Sequence, residues 1–184
     1  DGAGSVTDRA CLYDDLYTFS ASDDAFANVM GADTWIETWQ GASAEGCAAP
    51  VAPHDGSNAS TYSYDASAGT LTVYGLGAHI GLPKATNQGE LSAATPPAVP
   101  TSVTYEVTSI SNTAMTLDVD FGGGYWRFEL VCADDSCVGS AADSGSDDTD
   151  PVDPVDPVDP VDPANPNAAA FTGTFDGTTV EGST

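Results

Sequence analysis

Adjacent carboxylates are the residues in this sequence whose type and spacing best suit metal chemistry. They occur as three pairs, at Asp14-Asp15, Asp23-Asp24 and Asp134-Asp135. Calcium takes six to eight oxygen ligands, which carboxylates and the free backbone carbonyls of turns can supply together. We therefore expect calcium at Asp23, Asp24, Asp134 and Asp135, which turn-forming residues surround. No EF-hand spacing is present, and a solvated acidic surface is the alternative at each pair.

Groups for acid–base catalysis are few. His54 and His79 are the only histidines, and His54 precedes Asp55 in a proline-flanked loop that also contains Ser57. Neighbours in sequence seldom form a catalytic triad, which depends on geometry. No nucleophile elbow, zinc-protease helix or phosphate-binding loop occurs. We expect no enzymatic activity.

Aromatic side chains offer a second kind of binding chemistry, because an aromatic face can stack on a sugar ring. The candidates are Trp35, Trp39, Tyr125 and Trp126. Tyr125 and Trp126 are adjacent, so on a strand one points inward and the other outward. The outward residue is the better candidate, and a core position is the alternative for each of the four.

The four cysteines are an even number, which fits two disulfides formed in an oxidising compartment. We favour Cys11 with Cys47 and Cys132 with Cys137, the second pair closing a small ring. The alternatives pair Cys11 with Cys132 or Cys137 and would tie the first strand to the last. The spacings match no zinc site.

Residues 150–166 read DPVDPVDPVDPVDPANP and divide the sequence in two. Proline at every third position favours the extended polyproline II form, which has about three residues per turn and would span roughly 50 Å here. Its period places five carboxylates on one edge, at Asp150, Asp153, Asp156, Asp159 and Asp162. We interpret the segment as a stiff solvated spacer. The alternative is an acidic ladder that binds divalent cations or a neighbouring molecule.

The charge balance limits the partners. Three basic residues against 28 acids give a formal charge of -25, which excludes nucleic acid and anionic membranes as ordinary partners. Such a surface suits a salty exterior that supplies divalent cations. No apolar run approaches the roughly 20 residues of a membrane span. We expect a secreted or cell-surface protein.

Short alternating runs separated by turn residues predict an all-β fold, either a small antiparallel up-and-down barrel or a sandwich. The predicted strands are 12–20, 26–30, 34–39, 60–65, 70–74, 78–82, 102–109, 115–121 and 125–131, with long loops at 40–57 and 83–100. The predicted inward side chains include Phe19 or Leu16, Val29, Tyr62 and Tyr105. Such a chain can bury a sizeable core.

The C-terminal tail, residues 168–184, is too short to fold alone. Its Asp176-Gly177 lies between two alternating runs and predicts a hairpin with a type I′ turn. The tail is then either the start of a further domain in a truncated chain or a strand that completes another sheet.

The runs CLYDDLYTFSASDDAFANVM, TWIETWQG, APHDGSNA, GLPK and GGGYWRFELV together resemble a lipocalin-like β module of secreted multidomain bacterial proteins. Such modules often accompany polysaccharide-degrading domains. The resemblance covers roughly residues 8–132, and FTGTFDGTTVEGST is similar to the start of a separate module. Modules of this type usually have a further strand before the first cysteine, and residues 1–10 supply none. The resemblance therefore implies a barrel with an open edge.

These patterns predict a lead-in at 1–10, a lipocalin-like domain at 11–140, an acidic linker at 141–167 and a β tail at 168–184. The expected function is that of a non-catalytic extracellular structural module, a filament or surface-layer subunit joined by its tail and stabilised by calcium. Its partners would be copies of itself or following domains of the same protein. The alternative is a carbohydrate-binding accessory module of a secreted polysaccharide-degrading enzyme.

Overall fold

A computed structural model describes residues 9–92, 98–133, 137–139 and 171–182, the last twelve and 138–139 by their backbone. These segments form thirteen strands and two 3₁₀ turns, the turns at Ala10–Leu12 and Thr38–Gln40. The strands are β1 (Leu16–Ser20), β2 (Ala25–Val29), β3 (Thr34–Ile36), β4 (Gly46–Ala48), β5 (Ser60–Asp65), β6 (Thr70–Tyr74), β7 (Ala85–Thr86), β8 (Gly89–Glu90), β9 (Ser102–Ile110), β10 (Ala114–Asp120), β11 (Tyr125–Cys132), β12 (Val138–Gly139) and β13 (Phe171–Gly182). The expected all-β fold is confirmed.

Seven strands, β1, β2, β5, β6, β9, β10 and β11 in that order, form one antiparallel and strongly curled sheet. Neighbouring strands are joined in chain order, and the insertions between them carry the small hairpins β3–β4 and β7–β8. Strand β13 pairs with both β11 and β1, the two ends of this series. The up-and-down order follows from the local connections that the sequence predicts.

Alternation of side chains builds the core. In β10, Met115, Leu117 and Val119 are buried while the intervening positions face outward, and β11 buries Trp126, Phe128 and Leu130 in the same way. Strands with one solvated face require this period of two. The predicted inward position of Val29 is wrong, because Phe26 and Asn28 take the inward positions of β2 and leave Val29 49% exposed.

An irregular segment fills the inside of the curled sheet. Residues 78–82, predicted as a strand, form none; they are instead buried as a plug among core side chains. Two tyrosine hydroxyls bind the backbone that no strand partner satisfies: Tyr105 accepts from the N–H of Ile80 at 2.8 Å, and Tyr17 accepts from the N–H of Gly81 at 2.9 Å. Gly81 has φ +72°, and a Cβ there would lie 2.0 Å from Phe128. The plug thus requires glycine at this position.

Two further boundaries differ from the prediction. The strand predicted at 34–39 ends at Ile36, because Glu37 and Gln40 form a capping box that starts a 3₁₀ turn. Of the two predictions for the tail, the hairpin is wrong and the single strand that completes a sheet is found: β13 continues unbroken through Asp176 and Gly177, which pair with Val131 and Leu130. A partner strand therefore outweighs the local turn signal.

The Tyr105 hydroxyl should stabilise the plug measurably. Tyr105→Phe leaves the buried N–H of Ile80 without its acceptor, which should lower the free energy of unfolding by about 1–3 kcal/mol. Tyr74→Phe is the matched control, since Tyr74 is 43% exposed and its hydroxyl makes a surface hydrogen bond with Ser63; its loss should change the free energy of unfolding by less than about 0.5 kcal/mol. Urea unfolding measures both, and equal effects of the two substitutions would contradict the plug's dependence on Tyr105.

Candidate functional site

The most distinctive site is the gap between β1 and β11, which we call the slot. Along one side of β13, Tyr125–Cys132 pair antiparallel with residues 182 to 175. Along the other side, Leu16, Tyr17, Thr18 and Phe19 pair with Asp176, Phe175, Thr174 and Gly173. One strand therefore bridges both ends of the curled sheet, and it provides backbone partners for edges that would otherwise be open.

Two glycines of β13 lie opposite buried residues of the neighbouring strands. Gly173 pairs with Phe19, and Gly177 pairs with Leu130; both partners are buried. Glycine weakens an isolated strand but suits close approach of another backbone. The tail is therefore a strand that depends on its neighbours for order.

Both disulfides of the favoured pattern are present, Cys11–Cys47 and Cys132–Cys137. The first joins the Ala10–Leu12 turn to β4, and the second closes a small ring directly after β11. The short strand β12 follows this ring and pairs with Phe171 and Thr172 of β13. Two disulfides indicate an oxidising environment.

The tryptophans lie together with two of the three basic residues at one end of the sheet. The Arg9 guanidinium lies 5.2 Å from the Trp35 ring and 5.4 Å from the Trp126 ring, and the Lys84 ammonium lies 4.9 Å from the Trp126 ring. Trp126 is 3% exposed and Trp35 is 8% exposed. Neither ring can stack on a sugar, so for these two residues the predicted stacking role is corrected.

Carboxylates complete this tryptophan cluster. Glu90 accepts from the Trp126 indole N–H at 2.6 Å, and Glu37 accepts from the half-buried Trp39 at 2.8 Å. Glu37 is also paired with Lys84 at 3.3 Å. These interactions satisfy the indole N–H groups of Trp126 and Trp39, whereas the buried indole N–H of Trp35 has no hydrogen-bond partner among the described residues.

A cleft of about 640 Å³ lies on the outer face of the sheet. Its lining comprises Thr70, Asn87, Thr104, Glu106, Asp118, Asp120, Gly122, Gly123, Gly124 and Tyr125. Tyr125 lies outward and Trp126 inward, as adjacent strand positions require. Of the four predicted stacking residues, Tyr125 is the one in this cleft.

Most polar groups in the cleft have partners that fix their positions. Asp118 accepts two hydrogen bonds from Arg127, at 2.8 and 2.7 Å, which raise the pKa of Arg127. Asp120 accepts from the Gln88 amide at 3.0 Å and from the N–H of Gly122 at 2.6 Å. Asn87 holds the backbone of Thr104 through both its amide atoms. Exposed Glu106 on β9 lies directly opposite Asp118 on β10 in the strand register.

The structure describes two of the four residues predicted to bind calcium, Asp23 and Asp24. Asp23 accepts hydrogen bonds from the Ser20 hydroxyl and from the N–H of Ala25, and Asp24 has φ 55° in the β1–β2 turn. Both shape the turn. Within the described segments, the one group of metal-ligating atoms close together is Cys11, Asp33 and Cys47, and its two sulfurs form a disulfide.

Other predicted residues lie outside the described ones, namely Asp134, Asp135 and the acidic ladder at Asp150, Asp153, Asp156, Asp159 and Asp162. The linker at 141–167 and most of the lead-in at 1–10 do so too. These expectations stay predictions.

The two histidines are buried neighbours. The His54 ring lies edge-on 5.3 Å from Trp39 and 5.7 Å from His79, and His79 Nδ1 donates to the carbonyl of Gly77 at 2.8 Å. Burial lowers the pKa of each to about 4.

Ser57 donates to Asp55 at 2.7 Å, which lowers the pKa of Asp55. Ser57 and Asp55 therefore shape a turn.

Nothing in the sequence pattern singles out Asp118 or Asp120 of the cleft as members of a site. Glu106, Asp118 and Asp120 occupy alternate outward positions of β9 and β10. Their alternation along each strand is visible in the sequence, but the pairing of β9 with β10, which brings them together, is not. Strand β12 was missed as well, since two residues carry no periodic signal.

No family model matches the chain, and comparisons with curated proteins and with solved structures found no significant match. The described segments contain no helix long and apolar enough to cross a membrane. The candidate sites must therefore be judged on their own geometry.

The histidine pair should make stability depend on pH. Each folded-state pKa of about 4 lies below the usual value of 6.5, so the unfolded chain binds more protons between these values. Stability contributed by neutral burial is complete above about pH 6.5 and is lost as the pH falls towards 4, by at most about 3 kcal/mol per histidine.

His54→Phe should reduce this loss, because phenylalanine fills the site without a proton to bind. We expect the difference in unfolding free energy between pH 7 and pH 4.5 to shrink by about 1–3 kcal/mol in the variant. Urea unfolding measures both proteins at both pH values. Comparing them cancels the contribution of the acidic surface to the pH dependence, because both proteins share that surface. An unchanged pH dependence would contradict the assignment of a depressed pKa to His54.

Proposed function

We propose that this protein is a non-catalytic extracellular assembly module in which the slot of one copy receives the tail strand of another. The carrying observation is the pairing of β13 with both β1 and β11. The curled antiparallel sheet then serves as a lipocalin-like acceptor that lacks one strand. Main-chain hydrogen bonds supply affinity in such strand addition, and alternate side-chain positions supply specificity.

The linker supports donation between copies. Gly139 pairs with Phe171, so the chain that leaves β12 would have to return to its starting point if both strands belonged to one copy. The repeat at 150–163 is predicted to be extended and stiff. A stiff spacer lowers the effective concentration of a copy's own tail at its own slot. It equally well carries the tail to a neighbour.

One slot and one tail per copy define a head-to-tail contact. Such a contact joins two different surfaces, so it extends into an open filament unless a rotation closes it into a ring. Copies of the same chain are thus the proposed partners, and a following domain that docks in the same way is the alternative. The two disulfides fit assembly outside the cell.

Calcium enters the proposal through charge. A formal charge of -25 on each copy opposes close packing, and divalent cations relieve such repulsion. The proposed contacts are Asp23 and Asp24 at the β1–β2 turn, together with Asp134 and Asp135, which lie between Cys132 and Cys137 in the sequence. The proposal is that the ion stabilises assembled copies rather than the fold of one copy.

If copies assemble as proposed, negative-stain electron microscopy should show regular polymers of the intact chain. The polymers should be sparser in the presence of a chelator, because the chelator removes calcium. Thr178→Pro/Thr179→Pro should abolish them, because consecutive strand residues point their N–H groups to opposite sides and proline removes both. The matched control, Val155→Pro/Val158→Pro, places two prolines in the linker and should leave the polymers intact. Monodisperse particles of the unmodified chain with and without calcium would refute the proposed function.

A second candidate function, carbohydrate binding, is favoured by the outer cleft. Its volume lies within the range of roughly 300–1,000 Å³ typical of small-ligand sites. Carboxylates at Glu106, Asp118 and Asp120 are acceptors for sugar hydroxyls, and Tyr125 adds an aromatic ring. An accessory module could hold an enzyme on polysaccharide through such a cleft.

Isothermal titration calorimetry with neutral oligosaccharides tests this second function. Tyr125→Ala should weaken binding by about tenfold or more, since stacking contributes on the order of 1 kcal/mol beyond the buried area. Tyr74→Ala removes an exposed tyrosine outside the cleft and should leave affinity unchanged. Equal losses in both variants, or no binding at all, would exclude the cleft as a sugar site.

A further inference from the structure

The acceptor edge for the tail is longer than β11. Strand β13 has twelve residues, whereas β11 has eight and pairs only with Phe175–Gly182. The remaining residues at the linker side of the tail need other partners. Strand β1 reaches Gly173, and beyond it β12 pairs with Thr172 and Phe171.

The spacing shows how β12 returns to this edge. Six positions separate Cys132 from Val138, but only three separate their partners Phe175 and Thr172 on the tail. The sequence between the two pairings is thus three residues longer than the tail opposite it, and the Cys132–Cys137 disulfide links its two ends covalently. Strand β12 therefore resumes the same antiparallel pairing immediately after the ring.

The disulfide matters because β12 is too short to hold its place alone. A strand of two residues has few hydrogen bonds to offset the entropy of ordering it. A cross-link restricts the conformations of the chain before the tail binds, so even over this short loop it removes part of that entropy in advance. The ring thus presents β12 to an incoming strand already aligned with β11.

The position of β12 also determines when its hydrogen bonds to the tail come under tension if the tail is pulled. The linker joins the tail just before Phe171, so a pull along an assembly reaches the pairs at Phe171 and Thr172 first. Peeling of the tail would begin there. Any element that strengthens these pairs protects the pairs behind them.

We propose that the Cys132–Cys137 ring and β12 form a clamp, an extension of the acceptor site that grips the linker-side end of the tail strand of a second copy. This inference rests on the proposed function for the identity of the second copy. The clamp makes retention of the tail sensitive to reduction: two equivalents of an external thiol reduce the Cys132–Cys137 disulfide to two cysteine thiols, are themselves oxidised to a disulfide, and so free β12. The Cys11–Cys47 disulfide lies outside the clamp: its Ala10–Leu12 turn contacts β13 but makes no strand pairing with it.

The test is hydrogen–deuterium exchange of the full chain, wild type against Cys132→Ser/Cys137→Ser, with light scattering on the same samples. We expect amides in 171–174 to exchange at least about tenfold faster in the variant, and those in 177–182 to change by less than about threefold. Cys11→Ser/Cys47→Ser is the matched control, which should produce no loss confined to 171–174. Unchanged exchange at 171–174, or a uniform loss along the tail, would overturn the clamp.

Light scattering distinguishes this outcome from failure of the proposed function. Polymers with a loss confined to 171–174 support the clamp acting on a second copy. A local loss in a protein that stays monomeric would overturn the second-copy origin of the tail, because the clamp would then hold the chain's own strand. Polymers without any local loss would overturn the clamp alone.

Discussion

The structure depends on the need of backbone groups at a sheet edge for hydrogen-bond partners. An open antiparallel sheet has two such edges, and each presents a row of N–H and C=O groups. Curling brings β1 and β11 close enough for one strand to bridge both. Residues 171–182 supply that strand, yet they are separated from the rest of the sheet by the acidic linker. The same interaction therefore completes the fold, and under the proposed function it would also join one copy to the next.

Under the proposed function, the charge of the protein favours backbone pairing as the contact between copies. Its three basic residues are all engaged within the fold: Arg9 and Lys84 lie against tryptophan rings, and Arg127 binds Asp118. No cation remains among them for ion pairs with another acidic copy. Main-chain hydrogen bonds do not depend on side-chain charge, and screening by salt or divalent ions reduces the remaining repulsion.

Periodicity predicted the fold well where strands are long and half-buried. The alternation in β5, β6, β9, β10 and β11 gave their positions to within two residues, because one solvated face imposes a period of two. The plug at 78–82 has the same apolar character as a strand but lies inside the sheet, where tyrosine hydroxyls satisfy its backbone. Asp176-Gly177 favours a turn locally, and pairing with β11 overrides it. The cleft required knowledge of which strands are neighbours, which a single sequence does not contain.

The origin of the strand in the slot is tested most directly by a cross-link at its register. Glu129 and Thr178 pair directly, and opposed Cα atoms in an antiparallel sheet lie about 4.5–5.5 Å apart, within reach of a disulfide. Glu129→Cys/Thr178→Cys is oxidised and run on a non-reducing denaturing gel beside Glu106→Cys/Thr178→Cys, whose positions are not paired. The account predicts a covalent ladder of multimers for the first variant only. Quantitative cross-linking within monomers would contradict it, because each copy would then fill its own slot.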